Sequence, residues 1–184
     1  FLFRSREFEQ FEIEFFTDPD KIDECPGLHD VADLTVNILD AEAQKNNEEQ
    51  YSSTVKELIK KKLTNKWHLY WLALFYKWFL EQGIRRENIR IREHVKDELA
   101  HYAGACFDIE YNFPFGWKEI HGNADRKEFD LGQHTKKSGK DLSVFIEETK
   151  QKILPYVASE PSQGIERAFL AFLFDAYDDD KKRG

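Results

Sequence analysis

Two short segments set acids and arginines into otherwise apolar elements: Phe3-Arg4-Ser5-Arg6-Glu7-Phe8-Glu9-Gln10-Phe11-Glu12-Ile13-Glu14 and Glu160-Pro161-Ser162-Gln163-Gly164-Ile165-Glu166-Arg167. A period of two along the first puts Arg4, Arg6, Phe8, Gln10, Glu12 and Glu14 on one face. Phe11, Ile13 and Phe15 fall on the other, so one face packs and the other carries charge. Glutamates are poor strand formers and like charges two residues apart repel, so a helix or a solvated edge strand competes with this reading.

The second segment constrains the fold further. Ile153 to Val157 reads as a short strand, Pro161 to Gly164 as a turn, and Ile165 to Tyr177 as a helix apolar on nearly every side, hence buried. Arg167 falls in the first turn of that helix. There it must be paired or meet an anion, because an uncompensated buried charge costs about 3–5 kcal/mol. The first-turn amides also favour an anion. An ion pair with Glu160 or Asp175 would meet the same demand, and this segment alone does not separate the two readings.

Between these segments, residues 17–30 read as a loop and residues 31–82 as two or three helices, interrupted near Asn46-Asn47 and closed by Gly83. Residues 89–95, 104–112 and 115–121 read as strands, Lys96 to Ala103 as a short helix or turn, and Asp178 to Gly184 as a charged tail. With 184 residues, including 16 Phe, 7 Tyr and 4 Trp, one sizeable core can be buried. The most apolar run, Trp67 to Leu80, is too short for a membrane span and contains His68 and Lys77. The start of the chain carries no charged leader with a small-residue cleavage site, which predicts an intracellular, cytoplasmic protein.

Several chemistries are disfavoured. The net charge of −8 argues against a general nucleic-acid-binding module. Lys60-Lys61-Lys62 with Lys66, or Arg85-Arg86 with Arg90 and Arg92, could supply a local basic strip, although a solvated helix face explains both clusters more simply. Cys25 and Cys106 give no disulfide framework, and no phosphate-binding glycine loop occurs. Ser162 lacks the G-x-S-x-G elbow of a hydrolase nucleophile. His94, His101, Cys106 and His121 are potential zinc ligands, but on a single helix His94 and His101 would stand about 10 Å apart along the axis. They read instead as packed or hydrogen-bonded core histidines.

In three ordered blocks the chain resembles glycyl-tRNA synthetases, which are class II aminoacyl-tRNA synthetases. R-x-R-E-F-x-Q-x-E-x-E at Arg4–Glu14 is similar to the end of motif 2, and E-P-S-x-G-I-x-R at Glu160–Arg167 to motif 3. Between them, Arg92, His94, Glu98, Ala100-His101-Tyr102-Ala103, Cys106, Asp108 and Glu110 follow the family's R-x-H-x-x-x-E-x-A-H-Y-A stretch, continuing through Glu119-Ile120, Arg126 and Asp130-Leu131. The resemblance covers essentially the whole chain and is weakest over residues 17–66.

It implies an α+β fold, a mostly antiparallel sheet of the class II synthetase type flanked by helices. Residues 1–16 would form the second motif 2 strand, about 17–88 a helical insertion, and about 89–177 the core strands and motif 3. It implies a ligase that activates glycine with ATP and Mg2+ and transfers it to tRNA(Gly). Arg4 and Arg167 match catalytic, phosphate-contacting arginines; Ser5, Phe8, Glu119 and Ile120 match further ATP contacts, with Phe8 stacking on adenine. Glu12, Glu160 and Ser162 match contacts to the glycine ammonium, and Glu119 is the candidate metal ligand. Adenylate formation needs orientation and charge neutralisation, not a nucleophilic side chain.

The resemblance starts inside motif 2, without motif 1, the R-x-E strand or the anticodon-binding domain. The expectation is a split subunit or fragment, inactive alone, with a second polypeptide supplying motif 1 and the first motif 2 strand in a homo- or hetero-oligomer. The alternative is a non-catalytic protein on the same fold, like the accessory subunit of mitochondrial DNA polymerase. The joint presence of Arg4, Phe8, Glu12, Glu160, Ser162 and Arg167 favours the enzyme.

Overall fold

A computed structural model describes residues 3–99 and 103–178. In chain order its elements are β1 (Gln10–Glu12), β2 (Phe15–Thr17), β3 (Thr35–Leu39), α1 (Ala41–Lys45), β4 (Tyr51–Thr54), α2 (Val55–Lys61) and α3 (Lys66–Glu81). There follow β5 (Ile89–Glu93), β6 (Ala105–Phe113), β7 (Gly116–Asp125), α4 (Phe129–Ser138), β8 (Val144–Ile146), β9 (Gln151–Ile153), β10 (Tyr156–Gly164) and α5 (Ile165–Ala176). Eight strands form one sheet in the order β1-β10-β7-β6-β5-β3-β4, with β2 also on β10, while β8 and β9 pair separately. Every pairing is antiparallel except β3 with β5, so the architecture is the α+β one anticipated.

The core lies on one face of this sheet. Along β6, Phe107, Ile109, Tyr111 and Phe113 point to that face, joined by Ile89 and Ile91 of β5 and by Val36 and Ile38 of β3. The apolar helix α3 covers them with Leu69, Leu72, Ala73, Tyr76 and Phe79. Asn65 caps α3 by accepting from the His68 amide at 2.8 Å, and Gly83, at φ +103°, ends it in a conformation other residues avoid. His68 lies fully buried within the core, donating from Nε2 to the Asn123 carbonyl (3.1 Å) and accepting from Thr64 (2.8 Å). Burial lowers its pKa to about 4, so it is neutral.

Four expectations need correction. Residues 31–82 are not helical throughout: Thr35-Val36-Asn37-Ile38-Leu39 alternates buried with part-exposed residues as a strand, and Tyr51–Thr54 pairs with it. A helical period fitted over too long a window hid that alternation. Pro161 to Gly164 is no turn but the end of β10, which runs without a break into α5. The Pro161 carbonyl accepts from Ile13 on the β1 side, so the missing N–H faces the break between β1 and β2 and leaves the ladder to β7 intact. The strand expected over Ile153–Val157 is divided, its first residue belonging to β9 and its last two to β10. Finally, α5 is buried on one side only. Ala168 and Ala171 meet the sheet, whereas Phe169 (60 % exposed) and Leu173 (54 %) face outward.

The expected strand over residues 1–16 survives only as β1 and β2, and Phe11 and Phe15 do pack, against Phe75 and Trp67. The break near Asn46-Asn47 is present, with Asn47 at φ 56°. Residues 1, 2, 100–102 and 179–184, which include His101 and most of the expected tail, lie outside the described residues. The arginine cluster does not form a helix face: Arg85 pairs with Asp175, Arg90 with Glu110 and Arg92 with Glu98. Lys60, Lys61 and Lys62 are exposed at the end of α2, as expected. Among the described residues, no helix is long and apolar enough to cross a membrane. Because Phe79 is fully buried between α3, α5 and the sheet, Phe79→Ala should cost about 3–5 kcal/mol in denaturant unfolding, without a change in m-value.

Candidate functional site

The face of the sheet turned away from α3 carries charge. Arg90 on β5 meets Glu110 on β6 at 2.7 Å, and His94, just beyond β5, meets Asp108 at 2.8 Å. Strand alternation places Cys106, Asp108 and Glu110 on this side because Phe107, Ile109 and Tyr111 occupy the other. On β7 the alternation is interrupted. Ile109 pairs with His121 but Glu110 with Glu119, so Ile120 is an extra residue in a β-bulge. The bulge turns Glu119 to the charged face beside Gly122 and Ala124, while Ile120, His121 and Asn123 are buried.

Two adjoining cavities open on this face. The first, about 370 Å³, is lined by Phe3, Arg4, Ser5, Phe8, Gln10, Glu119, Ser162, Gly164, Glu166 and Arg167. The second, about 330 Å³, is lined in part by His94, Cys106, Asp108, Glu119, Arg126, Glu160 and Ser162. Glu119 and Ser162 belong to both and mark where they meet. Arg4, Ser5, Phe8, Glu160, Ser162 and Arg167 are thereby gathered from β10, α5 and the stretch leading into β1, whereas Glu12, exposed on β1, lines neither cavity and joins the group only through its closeness to Glu160. The Glu9 amide donates to Glu166 (3.0 Å) and the Ile165 amide to the Glu9 carbonyl (2.9 Å), which fastens that stretch to the start of α5.

Arg167 Nη1 meets Glu119 Oε2 at 3.1 Å, and its Nε donates to the Phe3 carbonyl at 3.2 Å. Neither anticipated ion-pair partner takes it: Glu160 is held by Arg126, and Asp175 by Arg85, Asn88 and Tyr111. Arg4 lies 5.8 Å from the Phe3 ring centroid, and Phe8 is 57 % exposed. Ile120 differs from the rest, since its side chain is in the core and any ligand contact from it would be through backbone.

At the second cavity Arg126 bridges Asp130 and Glu160. Its Nε lies 2.9 Å from Glu160 Oε2, and its Nη1 donates to Oε1 at 3.1 Å. Glu12, Glu14 and Glu160 bring carboxylate oxygens within 4.8 Å of one another. Burial, opposed by Arg126 and reinforced by Glu12 and Glu14, pushes Glu160 up to about 7. His94 is pushed up to about 10 by its hydrogen bond to Asp108 and its contact with Cys106, against the opposing effect of burial. Gln10, which donates to Ser162 and to Glu12 (3.1 Å), was not among the expected site residues, although it shares a strand face with Phe8 and Glu12. In the sequence Arg126 is matched only as one position of the block between the two charged segments.

No family model matches the chain. Among curated proteins it is 41% identical over 184 residues to a glycine–tRNA ligase of Clostridium kluyveri and 39% over 184 residues to one of Caldanaerobacter subterraneus subsp. tengcongensis, each match covering all of this chain. It is 36% identical over 184 residues to one of Thermobifida fusca, covering 98% of this chain. The mixed, mainly antiparallel sheet with its flanking helices and charged face is that of a class II synthetase-type domain. Over its whole length the chain matches part of a glycyl-tRNA synthetase. It spans only about 30% of the length of the curated relatives it matches.

The raised Glu160 carboxyl has a stability consequence. Between its ordinary 4.5 and about 7, folded Glu160 keeps a proton that the unfolded chain releases. Its stabilising contribution is therefore complete below about pH 4.5 and lost as pH rises through about 7. Glu160→Gln should remove that dependence. Between about pH 4.5 and pH 7.5 the wild type should lose up to about 3 kcal/mol relative to the variant, read by urea unfolding at each pH. A pH-independent difference would contradict the assignment.

Proposed function

We propose that this chain supplies the glycine-activating and nucleotide-holding part of a glycine–tRNA ligase, which joins glycine to tRNA(Gly) through glycyl-adenylate formed from ATP. The observation that carries the reading is the division of charge between two cavities that share Glu119 and Ser162. Acids dominate the second cavity and its rim, with Glu160, Glu12 and Glu14 in mutual reach; the first offers Arg4, Arg167 and an exposed aromatic, Phe8.

In this reading the glycine ammonium sits against Glu160, Glu12 and the Ser162 hydroxyl. Arg126 holds Glu160 in place from behind. A cation there restores the Glu160 carboxylate, which burial otherwise disfavours, so ammonium binding and ionisation support each other. Glycine has no side chain to recognise. Selectivity follows from gripping the ammonium with several acids and leaving no room for a methyl. Phe8 stacks on adenine, Ser5 lies beside it, and Arg4 and Arg167 neutralise phosphate, with Ile120 contributing backbone alone. The glycine carboxylate then attacks the α-phosphate where the cavities join, the α,β-phosphoanhydride bond breaks as pyrophosphate leaves, and the arginines balance the charge that develops.

Magnesium fits the chemistry of Glu119: Oε2 is engaged by Arg167, while Oε1 remains as a hard oxygen donor of the kind this ion shares with substrate phosphates. When bound, it would supply further neutralisation of phosphate charge. The full reaction draws on groups outside these residues, carried by the same or a second polypeptide, in keeping with the fraction of the relatives' length that is spanned. The cytoplasm, where tRNA is charged, is the corresponding location.

In the assembled enzyme, Glu12→Gln should weaken glycine by about 1.5–3 kcal/mol, the range for a hydrogen bond to a charged group, and leave ATP binding unchanged. Separate titrations with glycine and ATP measure both. Equal loss for the two ligands, or no loss for glycine, would overturn the placement of the ammonium.

A further inference from the structure

His94, Cys106 and Asp108 form a cluster that glycine activation does not use. Cys106 and Asp108 are two residues apart on β6 and point to the same face, and His94 approaches them from the end of β5. One ligand-type atom from each lies within 4.8 Å of the other two. β5 and β6 pair without a break from Ile89 opposite Tyr111 to Glu93 opposite Phe107, and the His94 amide donates to the Cys106 carbonyl at 2.9 Å, so the three side chains stand on paired backbone. All three line the second cavity. Gly122 lies opposite Asp108, and a Cβ there would come within 3.8 Å of Asp108 Oδ1, so its absence leaves space beside the carboxylate.

We propose that His94, Cys106 and Asp108 bind a borderline divalent ion of the zinc class, with the fourth position open to the cavity. Nitrogen, thiolate and carboxylate together are a donor set that suits zinc and does not suit magnesium or calcium. With bonds of about 2.0–2.3 Å, neighbouring ligand atoms of a tetrahedral site stand about 3.3–3.8 Å apart. The 2.8 Å contact between His94 Nε2 and Asp108 Oδ2 must therefore open by roughly half an ångström, and the other separations, none above 4.8 Å, need close by no more than about 1.5 Å. Binding displaces the proton that His94 shares with Asp108 and the proton of the Cys106 thiol, both of which pass to solvent as the three metal–ligand bonds form. His121 on β7 is excluded because it faces the core against Phe75.

The site stands independently of the glycine reading, and its test does not use activity. Cobalt(II), added to the purified chain as a spectroscopic substitute, should bind at one equivalent. It should show visible bands of tetrahedral intensity and a near-ultraviolet thiolate-to-cobalt charge-transfer band. Cys106→Ser should abolish the charge-transfer band and weaken zinc, measured by competition with a chromophoric chelator, by at least about a hundredfold, since loss of even an outer partner costs 10–100-fold. His94→Gln should weaken zinc to the same degree while leaving the fold intact by circular dichroism. If Cys106→Ser does not fold, His94→Gln alone carries the test. Cobalt bound without a thiolate band, a band that persists in Cys106→Ser, or zinc affinity unchanged in His94→Gln would each overturn the proposal.

Discussion

The sheet can hold buried charge because its opposite face is already closed by α3. Once Phe107, Ile109, Tyr111 and Phe113 are committed to the apolar side, alternation alone delivers Cys106, Asp108 and Glu110 to the other. These acids could not be buried singly at tolerable cost. Cross-strand neighbours neutralise them: Arg90 for Glu110 and His94 for Asp108, both on or just beyond the adjacent strand. The same logic extends across β7 and β10, where Arg126 answers Glu160 and Arg167 answers Glu119. Charge neutralisation is thus built into strand order.

The bulge at Ile120 adjusts this plan at one place. Without the extra residue, Glu119 would share the buried face of His121, and the two cavities would lose the carboxylate that joins them. Continuity of β10 into α5 does the complementary work from the other side. Glu160 and Ser162 alternate onto the charged face, and Arg167 follows in the first turn of the helix, two residues after Ile165 begins it. Members of the proposed ammonium and phosphate groups are therefore placed by one uninterrupted stretch of backbone, which limits their relative motion.

Much of the candidate site was legible in the chain because its residues are concentrated in two local segments whose spacing survives folding. The face of Phe8, Gln10 and Glu12 followed from a period of two, and the helix carrying Arg167 from its apolar run. What could not be read depended on partners distant in sequence. Pro161-Ser162-Gln163-Gly164 has turn composition, yet β7 on one side and β1 on the other hold it as strand. The apolar periphery of α5 suggested full burial, since composition records hydrophobicity but not whether a neighbour exists to cover it. The strands within residues 31–82 were missed despite the alternation in Thr35–Leu39, because flanking helical signals swamped a five-residue pattern. The bulge has no local signal at all; it exists only in the register between β6 and β7.

The central claim is that one continuous site spans both cavities, with ammonium at one end, adenine at the other and the reacting phosphate where they meet. A crystal structure of the assembled enzyme with a glycyl-adenylate analogue, in which a sulfamate replaces the labile phosphoester, tests it most directly. The amino group should lie within hydrogen-bonding distance of Glu160 and Ser162, the sulfamate beside Glu119, and the adenine ring on Phe8. An analogue seated with its amino group away from Glu160, or with its adenine outside the cavity lined by Phe8 and Arg4, would contradict it.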